Sequence, residues 1–181
     1  MIFIYKCITG LFIKPSYFAK IILRFYPKSL KWIIVFSAML LFIKSFIFIT
    51  AQLITSSNSI SQTLYETVIN LFSYATGLII SISVAKLLSH QIKIPFSGNQ
   101  HILIIMYSLT PQLLSDIFAG INYSWSVFNV IGLYSVLTMW HLLDQFEQFP
   151  NRHKTIYIIT VLGIYYSCFW VFYSVFMVLI S

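Results

Sequence analysis

The chain has 181 residues, of which 59% are hydrophobic and only 8% charged, and its mean hydropathy is +0.88. A soluble domain carries about a quarter charged residues to cover its surface, so this composition excludes a soluble enzyme and a disordered chain. The formal net charge is +7, but the basic residues stand at the ends of apolar runs and form no single patch. This distribution argues against nucleic-acid binding, and the sequence predicts an integral membrane protein.

Residues 1–31 form a basic segment, and its part from about residue 14 to residue 31 is too polar to cross a membrane. Pro15 suits the start of a helix, and Ile21 and Ile22 lie with Phe18 and Phe25 on its apolar face. The segment is therefore either an amphipathic helix on the cytoplasmic leaflet or a flanking segment that only fixes topology. The basic residues that we expect to contact anionic lipid headgroups are Lys14, Lys20, Arg24, Lys28 and Lys31.

Five apolar runs follow, and each is long enough to cross the hydrocarbon core as a helix. A core of about 30 Å requires roughly 20 apolar residues, and continuous apolar runs favour helices over the alternating strands of a barrel. Residues 32–181 therefore form one all-α domain, a five-helix transmembrane bundle. The predicted spans are approximately 32–54, 64–88, 101–121, 125–143 and 156–180.

The charges of the connecting segments alternate along the chain. The N-terminal segment and the connections after the second and fourth spans contain Lys or Arg, whereas the connections after the first and third spans contain neither. The positive-inside rule then places the N-terminus in the cytoplasm and the C-terminus outside. An odd number of spans likewise requires the two termini to lie on opposite sides of the membrane.

Small residues recur at every fourth position along most of the second span. Small side chains let helix backbones approach closely, and such contacts drive helix association in lipid. We expect this helix to be central in the bundle, and we favour packing within the monomer over a homodimer face. The stripe consists of Ser73, Gly77, Ser81 and Ala85.

A lysine in the first span requires a partner. Lys44 lies near the middle of that span, where an unpaired charge costs on the order of 3 kcal/mol by insertion scales. Counting about 1.5 Å per residue places Lys44, Asp116 and Asn129 in the middle-to-outer part of the membrane. We predict that Lys44 pairs with Asp116, with Asn129 or Tyr107 nearby. The pair either fixes the register of two helices, which we favour, or forms a polar pathway.

A proline interrupts the third span. Pro111 removes the backbone hydrogen bond to the carbonyl of Tyr107, so the sequence predicts a helix kink between these residues. Membrane helices tolerate prolines for structural reasons, and we favour a structural role over a hinge or a cavity.

Signals for catalysis or metal binding are weak. His141 and Asp144 stand three residues apart and His153 follows, but zinc needs three or four converging ligands. Cys7 and Cys168 form no metal-binding spacing and are predicted to be free thiols. We therefore predict no enzymatic activity, no metal and no cofactor.

Short motifs from about residue 11 to the end of the chain carry a resemblance to a known family. Residues 101–118 contain Tyr-Ser-Leu-Thr-Pro in mid-helix, Leu133-Tyr134-Ser135 lies in the fourth span, and Tyr26-Pro27 precedes the first. This pattern resembles the Yip family of Ypt/Rab-interacting membrane proteins, in particular its short prokaryotic members. The resemblance implies a Yip domain with five spans, located in the cytoplasmic membrane of a prokaryote.

The chain departs from the eukaryotic members of that family. Their long hydrophilic N-terminal region is absent, and Phe25-Tyr26-Pro27 replaces their Asp-Leu-Tyr-Gly-Pro motif. These departures weaken the case for binding to Rab-type GTPases. The resemblance implies a membrane-organising or partner-binding scaffold whose partners are lipids, other membrane proteins or a second copy of the chain. The alternative is a transporter or channel component that uses Lys44, Asp116 and Asn129.

Overall fold

The computed structural model describes residues 10, 14–24, 28–55, 59–92, 96–121, 132–146 and 150–180. These residues are helical almost throughout, and no strand occurs among them, which confirms the all-α prediction. The helices are α1 (Pro15–Arg24), α2 (Lys28–Thr55), α3 (Ile60–Gln91), α4 (Gly98–Ser108), α5 (Thr110–Ile121), α6 (Tyr134–Leu143) and α7 (Asn151–Ile180).

Four helical stretches in the described part of the chain are long and apolar enough to cross a membrane, which is compatible with a multi-pass membrane protein. They match the first, second, third and fifth predicted spans. The predicted fourth span, 125–143, is described only over its C-terminal part, which contains α6, because residues 122–131 lie outside the described part of the chain. The four stretches are Ser29–Ile54, Ile60–Gln91, Gly98–Phe118 and Asn151–Leu179.

Serine side chains cap two of the long helices at their N-termini. Ser59 accepts a hydrogen bond from the backbone of Gln62 and begins α3. Ser97 begins α4 with a capping box, in which its hydroxyl accepts from the backbone of Gln100 and the Gln100 side chain accepts from the backbone of Ser97. Capping satisfies amide groups that have no partner within the helix, so these serines fix where the spans begin.

The third span is divided at Leu109 into α4 and α5, two residues before Pro111. The break lies where the sequence predicts a kink, because Pro111 has no amide hydrogen to donate to the preceding turn. Hydroxyls bond the backbone on both sides of the break: Ser108 donates to the carbonyl of Ile104 and Thr110 to that of Met106. The two halves continue as one membrane-length stretch.

The third span is the most buried of the four membrane-length stretches in the described part of the chain. In its most apolar stretch 72% of the residues are buried, against 22%, 33% and 17% in the first, second and fifth spans. The second span packs against α2, α4 and α7, as expected of a helix with several neighbours, but its small residues line one face only. The opposite face of α3 exposes Phe72, Ile79 and Leu87.

The small residues of α3 pack against α7 inside the monomer. All four residues of the stripe are buried. A Cβ atom on Gly77 would stand 3.2 Å from the backbone oxygen of Tyr165, so the two helices approach as closely as a glycine allows. The stripe therefore faces another helix of the same chain, which leaves it unavailable as a dimer face.

Helix α1 packs against α6, the C-terminal part of the predicted fourth span. Ala19 and Ile22 are buried in the main core, and the hydroxyl of Ser29 donates to the carbonyl of Ile22 at 2.7 Å. The side chains of Phe18, Phe25 and Lys28 lie outside the described part. The four other basic side chains predicted to contact lipid are exposed: Lys14, Lys20, Arg24 and Lys31.

Candidate functional site

The structure brings Lys44 and Asp116 together. Lys44 Nζ on α2 donates to Asp116 Oδ2 on α5 at 2.7 Å, and the two side chains are only 13% and 23% exposed. Counted at about 1.5 Å per residue, Lys44 lies about 24 Å from Lys28 and about 16 Å from Thr55 along the helix. Neither end of α2 lets this ammonium group reach water easily, so Asp116 neutralises a charge that is otherwise costly at this depth.

Two further side chains extend the ion pair into a polar chain across three helices. Gln112 lies one turn before Asp116 on α5, and its Nε2 donates to Asp116 Oδ1 at 2.6 Å. Tyr166 on α7 donates its hydroxyl hydrogen to Gln112 Oε1 at 3.1 Å. A Cβ atom on Gly132 would overlap this amide oxygen. Because Gly132 has no side chain, the Gln112 side chain has room to lie where it does.

A cleft of about 190 Å³ lies between α5 and α7 beside this chain. One wall contains Gln112 and Asp116, and the other is an aromatic face of α7 on which residues 165 and 166 are followed one turn later by residues 169 and 170. Trp170 is 61% exposed, so the cleft opens at the outer surface of the bundle. The residues that line it are Gln112, Asp116, Tyr165, Tyr166, Phe169 and Trp170.

The site differs in part from the sequence prediction. Asn129 lies outside the described residues. Tyr107 is buried on α4, nine residues and therefore about 13 Å of helix away from Asp116. Gln112 and the aromatic face of α7 were not predicted from the sequence. The sequence carries two signals for them: Gln112 stands one turn before Asp116, and the aromatic pair Tyr165-Tyr166 is followed four residues later by the pair Phe169-Trp170.

A second polar cluster, also missed from the sequence, joins three helices through His101. Its Nε2 lies 3.0 Å from the hydroxyl of Ser89 on α3, and its Nδ1 lies 2.7 Å from the hydroxyl of Tyr157 on α7. Ser89 donates its single hydrogen to the carbonyl of Lys86. The hydrogen-bond pattern therefore assigns the hydrogen of His101 to Nε2, with Tyr157 donating to Nδ1. The ring of Phe96 packs edge-on against His101 at 5.4 Å, and this cluster is sealed inside the protein.

An ion pair at the start of α7 accounts for the acidic residue of the weak metal motif. Lys154 is buried, donates to Asp144 Oδ1 and to Asn151 Oδ1, and lies 5.7 Å from the ring centre of Trp140. Asp144 is thus engaged by a lysine. Among the residues that the structure describes, no group of three His, Cys, Asp or Glu side chains could hold a metal ion. Cys168 is a free thiol, and Cys7 lies outside the described residues.

Comparison of the chain with protein-family models, with curated proteins and with solved structures finds no match. Two features of the described structure bear on function: the exposed basic side chains around α1, and the cleft beside Asp116.

Proposed function

We propose that the chain is a five-span protein of a prokaryotic cytoplasmic membrane, with its N-terminus inside and its C-terminus outside. The alternation of basic and uncharged connections supports this orientation, and the four membrane-length helices, together with α6, support the number of spans. Reporter fusions after Ser181 test it. Alkaline phosphatase at this position should be active and green fluorescent protein dark, whereas fusions after Gln91 should show the reverse. Fluorescence after Ser181 contradicts the orientation.

Within that topology, we propose a non-enzymatic scaffold that resembles the Yip family and organises the membrane or holds a partner. The observation that carries this proposal is the closely packed third span, whose internal charge is neutralised by the Lys44–Asp116 pair. Such a bundle holds its helices at fixed positions. Its exposed charged groups include Lys14, Lys20 and Arg24.

Cross-linking in native membranes, followed by purification, tests the scaffold proposal. We expect a partner in stoichiometric amount that is lost when Lys20→Gln and Arg24→Gln are combined. The matched control is Arg152→Gln, an exposed basic residue at the start of α7. Absence of any partner, or equal loss with the control variant, contradicts the proposal.

We further propose that α1 lies at the cytoplasmic interface, with its basic side chains toward anionic headgroups. Each Lys or Arg near such a surface contributes about 1 kcal/mol, and Ile22 anchors the opposite side of the helix in the bundle. Nitroxide labels at Tyr17→Cys and Lys20→Cys, with both native cysteines replaced by serine, test this placement. Collision parameters should report headgroup depth at both positions. Labels that lie in bulk water contradict it.

A transporter or channel component is the second candidate function, and the open cleft beside Asp116 favours it. A polar side chain on the wall of an open cleft is a typical feature of an intramembrane ligand site. Proteoliposomes that carry the purified chain should then show a solute-dependent flux that Asp116→Asn removes. Absence of flux for cationic, anionic and zwitterionic solutes contradicts this candidate.

A further inference from the structure

We propose that the cleft between α5 and α7 binds an organic ammonium group. The proposal deepens the transporter candidate, because it rests on the same site and names the ligand chemistry. Two features of the cleft carry it: a carboxylate on one wall and an aromatic surface on the other. Together they form the combination with which proteins recognise substituted ammonium ions.

The carboxylate of Asp116 has hydrogen-bonding capacity left for a ligand. Its two oxygens can accept about four hydrogen bonds. The structure gives Oδ2 one partner, Lys44, and Oδ1 one partner, Gln112. The side chain is 23% exposed and lines the cleft, so a ligand can approach the oxygens without displacing either partner.

The aromatic wall supplies ring faces at a suitable distance. Lys44 Nζ lies 5.7 Å from the ring centre of Phe169, so an ammonium group of the protein itself already uses one of these rings in this way. The ring of Trp170 lies 5.9 Å from that of Phe169 and nearly perpendicular to it. Indole is the strongest of the aromatic side chains in cation–π contacts, and Trp170 stands at the open side of the cleft.

Charge and size define the ligand further. An anionic group in the cleft would face Asp116, and Lys44 is not among the residues that line the cleft. A volume of about 190 Å³ accommodates an ammonium headgroup of the size of choline or ethanolammonium. Such a group reaches the cleft either as a free solute or as the headgroup of a phospholipid.

Calorimetric titration of choline into the full chain tests the proposal in nanodiscs of phosphatidylglycerol, which has no ammonium group. We expect saturable binding that weakens about tenfold or more in Asp116→Asn, which removes the negative charge that attracts the quaternary nitrogen of choline, and about fivefold in Trp170→Leu. The control Phe172→Leu removes a ring of α7 that does not line the cleft and should leave the affinity unchanged. Dimethylbutanol, the neutral isostere of choline, should not bind with comparable affinity.

The same titration in phosphatidylcholine nanodiscs distinguishes the two sources of the ligand. Loss of choline binding there identifies a lipid headgroup as the ligand, and unchanged binding identifies a free solute. No saturable binding in phosphatidylglycerol overturns the proposal. Equal choline affinity in the wild-type protein and in Trp170→Leu also overturns it. Trp170→Leu keeps the ion pair, so it tests the proposal even if Asp116→Asn does not fold. Binding without choline flux overturns the transporter candidate alone.

Discussion

Reversing the charge of Lys44 tests how the ion pair stabilises the bundle. In Lys44→Asp, a carboxylate replaces an ammonium group that stands 2.7 Å from Asp116 Oδ2 in surroundings that are only 13% and 23% exposed. An intramembrane charge without a partner costs about 3 kcal/mol. Removing one member of a buried pair costs about 3–5 kcal/mol. We therefore expect the free energy of unfolding to fall by about 3–5 kcal/mol in the single variant.

The exchanged pair should recover most of that loss. Lys44→Asp combined with Asp116→Lys restores opposite charges on the same two helices. The recovery is incomplete because Gln112 Nε2, which donates to Asp116 in the native protein, would then face an ammonium group. One hydrogen bond lost in this way costs about 1 kcal/mol. The coupling energy between the two positions should accordingly exceed about 2 kcal/mol.

Thermal unfolding in nanodiscs, followed by tryptophan fluorescence, measures both variants. For a chain of this length, 1 kcal/mol shifts the melting temperature by about 2–4 °C, so Lys44→Asp should melt on the order of 10 °C lower and the exchanged pair within a few degrees of the native protein. The neutral variant Lys44→Met serves as a control for lost packing. If the exchanged pair is as unstable as the sum of the two single reversals, the two residues do not stabilise the protein as a pair.

Three further predictions use the same melting measurement. Gly77→Ala should destabilise the protein because its Cβ would meet the α7 backbone at 3.2 Å. Gly163→Ala places its Cβ in open space and should gain up to about 1 kcal/mol of stability from helix propensity. Equal gains at both positions would contradict the close approach of α3 and α7. Tyr157→Phe should cost about 1–3 kcal/mol, because a buried ring nitrogen of His101 loses its donor; an unchanged melting temperature would contradict the assigned hydrogen. Lys154→Met should cost about 1 kcal/mol or less, because the carboxylate of its partner Asp144 is 33% exposed and can be hydrated. A loss of stability as large as that of Lys44→Asp would contradict this expectation.

The pairing of Lys44 with Asp116 could be predicted because intramembrane charges are few and their depth follows from counting residues. The aromatic face of α7 could not be predicted in the same way. Helix α7 is apolar around its whole circumference, so its sequence does not show which side contacts α5 and which contacts lipid. Only the rotation of the folded helix selects Tyr166 and Trp170 for the cleft.

The greater burial of the third span could not be predicted from the small residues of the second. A stripe of small residues predicts one close contact, and α3 makes that contact with α7, but the stripe does not indicate how deeply each span is buried. The third span carries another signal, since its hydroxyl residues Ser108, Thr110 and Ser115 are all buried. Thr110 lies two residues from Ser108 and therefore on nearly the opposite side of the helix, whereas Ser115, two turns further on, lies on the side of Ser108. Polar groups on opposite sides of an apolar helix indicate that protein, and not lipid, surrounds it.

The two polar clusters differ in the hydrogen-bonding capacity that the protein leaves unused. His101 has a protein partner at each ring nitrogen and is almost fully buried, so this cluster can hold helices together but offers nothing to a ligand. Asp116 keeps accepting capacity and faces a cleft. Changes at the two places should therefore have opposite consequences. Tyr157→Phe should lower the melting temperature without altering choline affinity, and Trp170→Leu should lower choline affinity with little effect on melting, because the indole is mostly exposed.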